Sequence, residues 1–480
     1  MLIPLNTASK VPLYQQVFTA LRQAIVQREL AGGEQLPPSR ELAHTLALSR
    51  NTINTAYDML CAEGYVSAKR GSGYYVSPDL PDSGINFDVN GNQPKSTTSQ
   101  LVFSKRGQYL ARPTRPVPST LNPAFQPGLP DLAEFPFHLW RRCVNQSLKT
   151  GDIGLYKYSD QGGYRPLKKA LRDYLAQSRG VKCTAEQIVI VNGSQAGLDL
   201  ITRLLIDDGD NIAIEEPGYL GARDGFLAAG ATLVPVPVDD EGLDVNLLKR
   251  SRKKIRLVYT TPSYQFPLGV TMSSARRLAL LTWAEQKNAF IIEDDYDSEY
   301  RYRGRPLSSL QGLDAGERVI YFGTFSKVMF PGLRMGYLVV PPSLAEGFAK
   351  ALRKTGQDTP LQLQAAVTTF IEQGYFASHI RRMRTLYGEK QRLLVEAMQT
   401  HLADVFDIQA TEAGMQLPVF YKRNINERNL VNKAKEMGLT LTPLANYHLN
   451  QPTRPGLYLG YAGVPKNGIK KAVQQLQSLL

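Results

Sequence analysis

Apolar residues recur every three or four positions over 13–30, with Leu13, Val17, Leu21, Ile25 and Val26 on one face. That spacing predicts an amphipathic helix, ended by Ala31-Gly32-Gly33. Pro37-Pro38-Ser39 opens a second helix over 40–46, with Ser39 as its expected cap. Ala47-Leu48 makes a turn. Ser49 then caps a third helix over about 50–62, whose inward positions are Ile53, Ala56, Tyr57 and Leu60, and Gly64 stops it. Residues 65–68 and 73–76 read as two short strands. Lys69-Arg70-Gly71-Ser72 joins them as a basic hairpin tip.

Residues 78–120 break this pattern. Pro78, Pro81, Pro94, Pro113, Pro116 and Pro118 stand among Ser, Thr, Asn and Gly, with few large apolar residues. A linker of this kind spans on the order of 130 Å when extended, at roughly 3.3 Å per residue, and leaves the placement of the first domain open. Beyond Ala124 short apolar runs at 188–191, 211–214, 255–259, 290–292 and 319–322 alternate with helical stretches such as 196–205 and 274–287. The alternation predicts a mostly parallel sheet with helices on both faces. From Glu372 a long helix through Thr400 leads into a smaller α+β subdomain. The expected domains are 10–78, a linker over 79–120, and 121–480, without internal repeats.

Composition narrows the class. The 480 residues are 21% charged and 43% hydrophobic, as in ordinary globular proteins. A net charge of +13 fits a polyanionic partner. Cys61, Cys143 and Cys183 match neither metal spacing nor a disulfide framework, and the five histidines form no ligand cluster, so no metal is expected. Neither a signal peptide nor a membrane-spanning run is recognisable, and the expected location is the cytoplasm.

Two chemistries stand out. At the N-terminal end, the third helix has the form of a recognition helix, which puts its first residues into the major groove. Arg50 can fork onto a guanine edge, and Ser49, Asn51, Thr52 and Thr55 lie within reach of bases or phosphates. Arg40 is positioned for phosphate, and Lys69 and Arg70 for the minor groove or backbone. The bland alternative is a small helical domain with solvated charges. The motifs Leu36-Pro-Pro-Ser-Arg-Glu-Leu-Ala43, Leu48-Ser-Arg-Asn-Thr-Ile53 and Arg70-Gly-Ser-Gly-Tyr-Tyr-Val76 resemble the winged helix-turn-helix of the GntR family of bacterial regulators. The resemblance implies a double-stranded DNA operator as partner.

At the other end, Lys327 follows a β-run on a Gly/Ser/Thr turn with Arg334 close behind. Most lysines are solvated surface, but one here can form a Schiff base with an aldehyde cofactor. Five separated elements fit pyridoxal phosphate. Ser194 and the amides of Ser194 and Gln195 open a helix after a strand and can cradle a phosphate. Tyr219 can stack on the ring. Asp294 can keep the ring nitrogen protonated, and Tyr296 can bond the ring hydroxyl. Thr324 and Ser326 accompany Lys327, and Arg334 suits the phosphate. Each sits where a strand ends, the place where open α/β sheets bind ligands.

This region resembles fold-type I aminotransferases of class I. Joined to the winged helix, it is similar to the MocR subfamily of GntR regulators, above all in Glu293-Asp-Asp-Tyr-Asp-Ser-Glu-Tyr300 and Gly323-Thr-Phe-Ser-Lys-Val-Met-Phe-Pro-Gly-Leu-Arg334. The fold expected is therefore multidomain: an N-terminal winged helix-turn-helix plus an α/β aminotransferase-like domain with a small C-terminal α+β subdomain. The resemblance also implies a head-to-tail homodimer and a small-molecule effector, either the cofactor itself or an amino compound.

The chain departs from working aminotransferases at two places. Phe266 stands where their Asn-Pro-Thr-Gly loop has asparagine, and Tyr458 where an arginine clamps the substrate carboxylate. Arg454 is the candidate substitute. A missing clamp positions an amino acid poorly for proton transfer, so sensing is favoured over turnover. Among regulators of vitamin B6 synthesis, γ-aminobutyrate use and taurine use, the absent clamp inclines toward the vitamin B6 type. The alternatives are an active aminotransferase carrying a DNA-binding domain, or a vestigial domain without cofactor.

Overall fold

The computed structural model describes every residue except 1–4, 7, 8, 10, 70, 79–101, 112–122, 150, 160, 303, 305–307 and 453. The chain divides into two compact units, residues 1–101 and 102–480.

In the first unit α1 (Leu13–Val26), α2 (Ser39–Thr45) and α3 (Arg50–Ala62) precede the antiparallel pair β1 (Val66–Lys69) and β2 (Gly73–Val76). The first helix stops four residues short of the expected end. Arg28 turns left-handed at φ 61°, and the N–H groups of Glu29 and Leu30 both reach back to the Ala24 carbonyl. Its buried face is Val17, Phe18, Leu21, Ala24 and Ile25. Leu13 is half-buried and Val26 exposed, because they lie at the two ends, beyond the packed stripe. Ser39 is not the cap of α2 but its first residue, and the helix starts without a side-chain cap. The third helix has the expected bounds. Ser49 caps it by accepting from Thr52 N at 3.1 Å, and Ile53, Ala56, Tyr57 and Leu60 are its buried residues.

In the second unit β3 (Ile188–Val191), β4 (Asn211–Glu216), β5 (Thr232–Asp239), β6 (Gly242–Leu243), β7 (Ile255–Thr260), β8 (Phe290–Asp295), β9 (Val319–Thr324) and β10 (Gly336–Val339) form one sheet in the order β3-β10-β9-β8-β7-β4-β5-β6. Strands β5, β4, β7, β8 and β9 pair in parallel, and β10 runs antiparallel between β9 and β3. Both faces are buried. In β3, Ile188 and Ile190 join one apolar cluster while Val189 and Val191 join another. This is why the run is continuously hydrophobic. The sequence reading missed β5, whose Pro235 and Pro237 lack ladder donors. It lies next to the two-residue edge strand β6, where prolines are tolerated.

The helix Leu361–Glu372 is separate from the 28-residue helix Tyr375–Leu402, since Gly374 breaks the path at φ 72°. Glu372 therefore ends one helix rather than starting the other. Strands β11 (Phe406–Ile408), β12 (Gln416–Tyr421), β13 (Thr442–Pro443) and β14 (Gly456–Gly460) make the small antiparallel sheet, ordered β11-β12-β14-β13. Within the stretch of linker composition, Lys105–Leu110 is a helix capped by Ser104. Its Tyr109 hydroxyl donates to Asp224 at 3.2 Å. Among the described residues no helix is long and apolar enough to cross a membrane.

Candidate functional site

The carboxyl ends of β3, β4, β7, β8 and β9 meet at a cavity of about 380 Å³. All nine cofactor-site residues named from the sequence line it. At one end, Ser194 and Gln195 lie in the first turn of the helix Gly193–Leu205, whose Asn192 makes no side-chain cap bond. The first-turn amides and the positive end of the helix dipole are thus open to an anion. Arg334 closes that end. It is held left-handed at φ 49°, against Gly193, where an added Cβ would lie 3.7 Å from the guanidinium carbon. Thr324 caps the short helix Phe325–Val328 by accepting from Ser326 N at 3.2 Å, which leaves its hydroxyl proton available.

At the other end lies Asp294. The expectation put it beyond a strand ending at residue 292, but β8 continues through Asp295. Acidic residues persist in a buried strand because each finds partners. Glu293 accepts from the Leu310 and Gln311 amides at 2.8 and 2.9 Å. Asp295 pairs with Arg179 at 2.7 Å and accepts from the Tyr321 hydroxyl. Asp294 accepts from the Tyr259 hydroxyl. Burial pushes the Asp294 carboxyl up to about 7, against the pull of the Tyr259 hydrogen bond, with Asp295 and Glu215 adding to the rise. A carboxyl in that state has an unmet need for a cation or a protonated ring nitrogen. The Tyr296 hydroxyl is buried beside the Tyr458 hydroxyl, without a well-formed hydrogen bond among the described residues, which leaves it able to meet a ligand oxygen. It and the Tyr458 hydroxyl influence each other's titration. Tyr219 packs edge-on to Phe266, and its hydroxyl accepts from Gln195 Nε2 at 3.5 Å.

Lys327 sits between the two ends. Its Nζ donates to the Gly128 carbonyl at 2.7 Å. Burial lowers its pKa, opposed by Asp297 and Asp294, which favours the free, nucleophilic amine. Asp297 is buried, and among the described residues neither of its carboxylate oxygens has a hydrogen-bond partner. An open helix terminus, a buried carboxyl, a tyrosine hydroxyl facing the cavity and a lysine whose pKa is lowered together fit pyridoxal phosphate.

The sequence reading missed Gly128, Gln416 and Tyr447, which also line the cavity. The Pro127-Gly128 pair was the available signal for the first. Nothing local marks the other two, which reach the cavity from the small C-terminal subdomain. Phe266 lines the cavity amid Tyr219, Tyr296, Tyr447 and Tyr458, with ring centroids 5.5, 5.9, 5.0 and 5.4 Å away. Tyr458 is fully buried behind them. Arg454 does not replace the clamp: it pairs with Asp407 at 2.9 Å and covers the Phe420 ring, so its charge is spent on the subdomain surface.

In the first unit Arg40, Arg50, Asn51 and Lys69 are exposed. Ser49 and Thr52 engage each other, and the Thr55 hydroxyl donates to the Asn51 carbonyl at 2.9 Å, so these three serve α3 itself as well as facing outward. Arg50 Nε reaches the Ser39 hydroxyl at 3.4 Å. Lys69 Nζ lies 4.6 Å from the centre of the Tyr75 ring. Arg70 lies outside the described residues.

Comparison with known proteins agrees with both halves. Residues 13–76 match the gntR family of bacterial regulatory proteins, and residues 134–476 match aminotransferase class I and II. The probable rhizopine catabolism regulatory protein MocR of Rhizobium meliloti is 42% identical over 479 residues, 99% of this chain and 95% of that protein. The HTH-type pyridoxine biosynthesis transcriptional regulator PdxR of Corynebacterium glutamicum is 29% identical, over 99% of this chain and 97% of that one. The crystal structure of Pyrococcus horikoshii kynurenine aminotransferase, in complex with PMP, superposes with a TM-score of 0.69 at 28% identity, covering 75% of this chain and 91% of that one.

Proposed function

Since the chain belongs to the MocR subfamily of GntR-type transcriptional regulators and its aminotransferase domain binds pyridoxal phosphate, we propose that the state of the Lys327 cavity governs how the winged helix holds its operator. The observation that carries this is the convergence of nine motif residues, from four strand ends, on one cavity around one lysine. When bound, the cofactor supplies an aldehyde carbon whose link to a lysine can be exchanged for a link to another primary amine.

In this reading each side chain has a role that its place supports. Ser194, Gln195, Thr324, Ser326 and Arg334 hold the phosphate, and Asp294 holds the ring nitrogen. Tyr219 covers the ring face, and Tyr296 bonds the ring hydroxyl. The Lys327 amine, whose pKa burial lowers, makes the covalent attachment and is released when an amino compound takes its place. The ligand changes DNA binding only to the extent that it favours one arrangement of the protein over another. Arg50 and Asn51 read bases, while Arg40, Lys69 and Arg70 contact phosphates.

A homodimer, arranged head to tail, is part of this reading. Ile153, Tyr156 and Tyr158 are 71%, 58% and 88% exposed, an apolar edge that a second copy would cover. The work takes place in the cytoplasm, where operator DNA lies. The 42% likeness to a catabolism regulator against 29% to a pyridoxine biosynthesis regulator shifts weight from free cofactor to a catabolic substrate as the signal.

Borohydride reduction followed by peptide mass spectrometry tests the attachment. The phosphopyridoxyl mass is expected on Lys327, and its presence elsewhere or nowhere refutes the assignment. Footprinting on the DNA flanking the chain's own gene, with and without cofactor and amines, tests the regulation. The rival reading, an active aminotransferase, predicts multiple turnover with an amino donor and a keto acid. Phe266, which cannot donate a hydrogen bond, and the diverted Arg454 speak against it.

A further inference from the structure

We propose that the effector of this cavity is a primary amine whose remaining body carries no negative charge. This rests on the function proposed above and names the chemistry of its ligand. Among the described residues lining the cavity the only cations are Lys327 and Arg334. The first is the attachment point, and the second faces the phosphate end beside Gly193. Among the described lining residues this leaves no cation for a carboxylate or sulfonate on the ligand. The wall that would meet the far part of an amine is instead Phe266, Leu220 and Tyr447, backed by the buried Tyr458.

The polar groups at this end are neutral or already engaged. The Thr261 hydroxyl donates to Glu215 at 2.7 Å and accepts from the Phe266 amide at 2.9 Å, which exhausts its proton. Gln416 Oε1 accepts from Met415 N at 3.2 Å, and its Nε2 lies 3.9 Å from where a Cβ on Gly128 would stand. One neutral amide near the lysine suits a hydroxyl or an amide of the ligand. It cannot offset the desolvation of an anion against an aromatic wall. The position taken by the carboxylate clamp in aminotransferases has thus become a preference for uncharged bodies.

The test uses full-length protein whose Lys327 carries the cofactor, as established by reduction and mass spectrometry. Matched pairs that differ only in the acidic group, 2-phenylethylamine with phenylalanine and 4-aminobutan-1-ol with 4-aminobutyrate, are titrated by calorimetry and by the shift in the cofactor's absorbance. The neutral member of each pair is expected to bind tighter by roughly tenfold or more. Leu220→Arg, which adds a cation to the half-exposed wall, is expected to reverse the order. Equal or tighter binding of the acids overturns the proposal. So does silence from every amine on cofactor-loaded protein, an outcome that leaves the regulatory reading standing with the cofactor itself as signal. Failure of the cofactor to attach at all refutes the regulatory reading instead.

Discussion

Lys327 Nζ donates a 2.7 Å hydrogen bond to the carbonyl of Gly128, a residue 199 positions earlier in the chain. Gly128 is left-handed at φ 77°, and a Cβ there would lie 2.7 Å from the lysine nitrogen. The glycine thus fulfils two demands, a backbone conformation and an empty space. Gly128→Val is expected to displace the lysine and lower cofactor affinity by roughly tenfold or more. Spectrophotometric titration with pyridoxal phosphate measures this, and an unchanged affinity would show that the close approach is dispensable.

Asp294 links cofactor binding to pH. Its carboxyl is raised from 3.8 to about 7 in the folded state, with burial as the main cause. A raised acid contributes stability that is complete below about pH 4 and is lost as pH rises through about 7. Facing it are Tyr259, Asp295, Glu215 and Lys327, and Asp294→Asn removes only its own share. Without cofactor, the melting temperature of the parent should therefore fall relative to Asp294→Asn between about pH 4 and 7, by on the order of 5 °C. Bound cofactor offers the carboxylate a partner and should shrink that difference. Parallel pH profiles without cofactor would contradict the assignment.

The Arg179–Asp295 pair, with side chains 7% and 1% exposed, lies beneath the site. Removing one partner of a buried ion pair leaves the other charge without compensation. Arg179→Ala should destabilise the second unit by about 3–5 kcal/mol, read by denaturant unfolding. A loss below about 1 kcal/mol, the range of surface pairs, would show that the pair contributes no more than an exposed one.

On α3, Ser49 and Arg50 separate stability from recognition. Ser49→Ala removes the cap bond to Thr52 N and should cost the winged helix about 1 kcal/mol. Arg50 is exposed, and its Nε reaches the Ser39 hydroxyl at 3.4 Å. Arg50→Ala should leave stability unchanged and weaken operator binding by about 1–3 kcal/mol, with random DNA hardly affected. Equal losses on both DNAs would make Arg50 a phosphate contact. Lys69→Ala should instead reduce the salt dependence of binding by about 0.9 in slope.

Much of the site was legible because its parts are local. Asn192 to Gln195, Glu293 to Tyr296 and Thr324 to Arg334 each carry strand-end chemistry within a dozen residues. The cap of α3 and its inward face follow from hydrogen bonds and spacing inside one helix. The strand β8 was cut short because charged residues argue against a buried strand. The partners that permit its extension, Arg179 and the 310–311 amides, lie far away in sequence.

The chain alone carried the two-domain plan, the bounds of α3 and nine residues that line the cavity, since periodicity, caps and turns act over a few residues. Three-dimensional packing decided which groups join them. Gly128 and Gln416 came to the lysine, and Arg454 went to Asp407, because burial and charge pairing are settled between segments that no local pattern connects. The same packing buried Tyr458, the residue expected at the place of a carboxylate clamp, behind an aromatic wall.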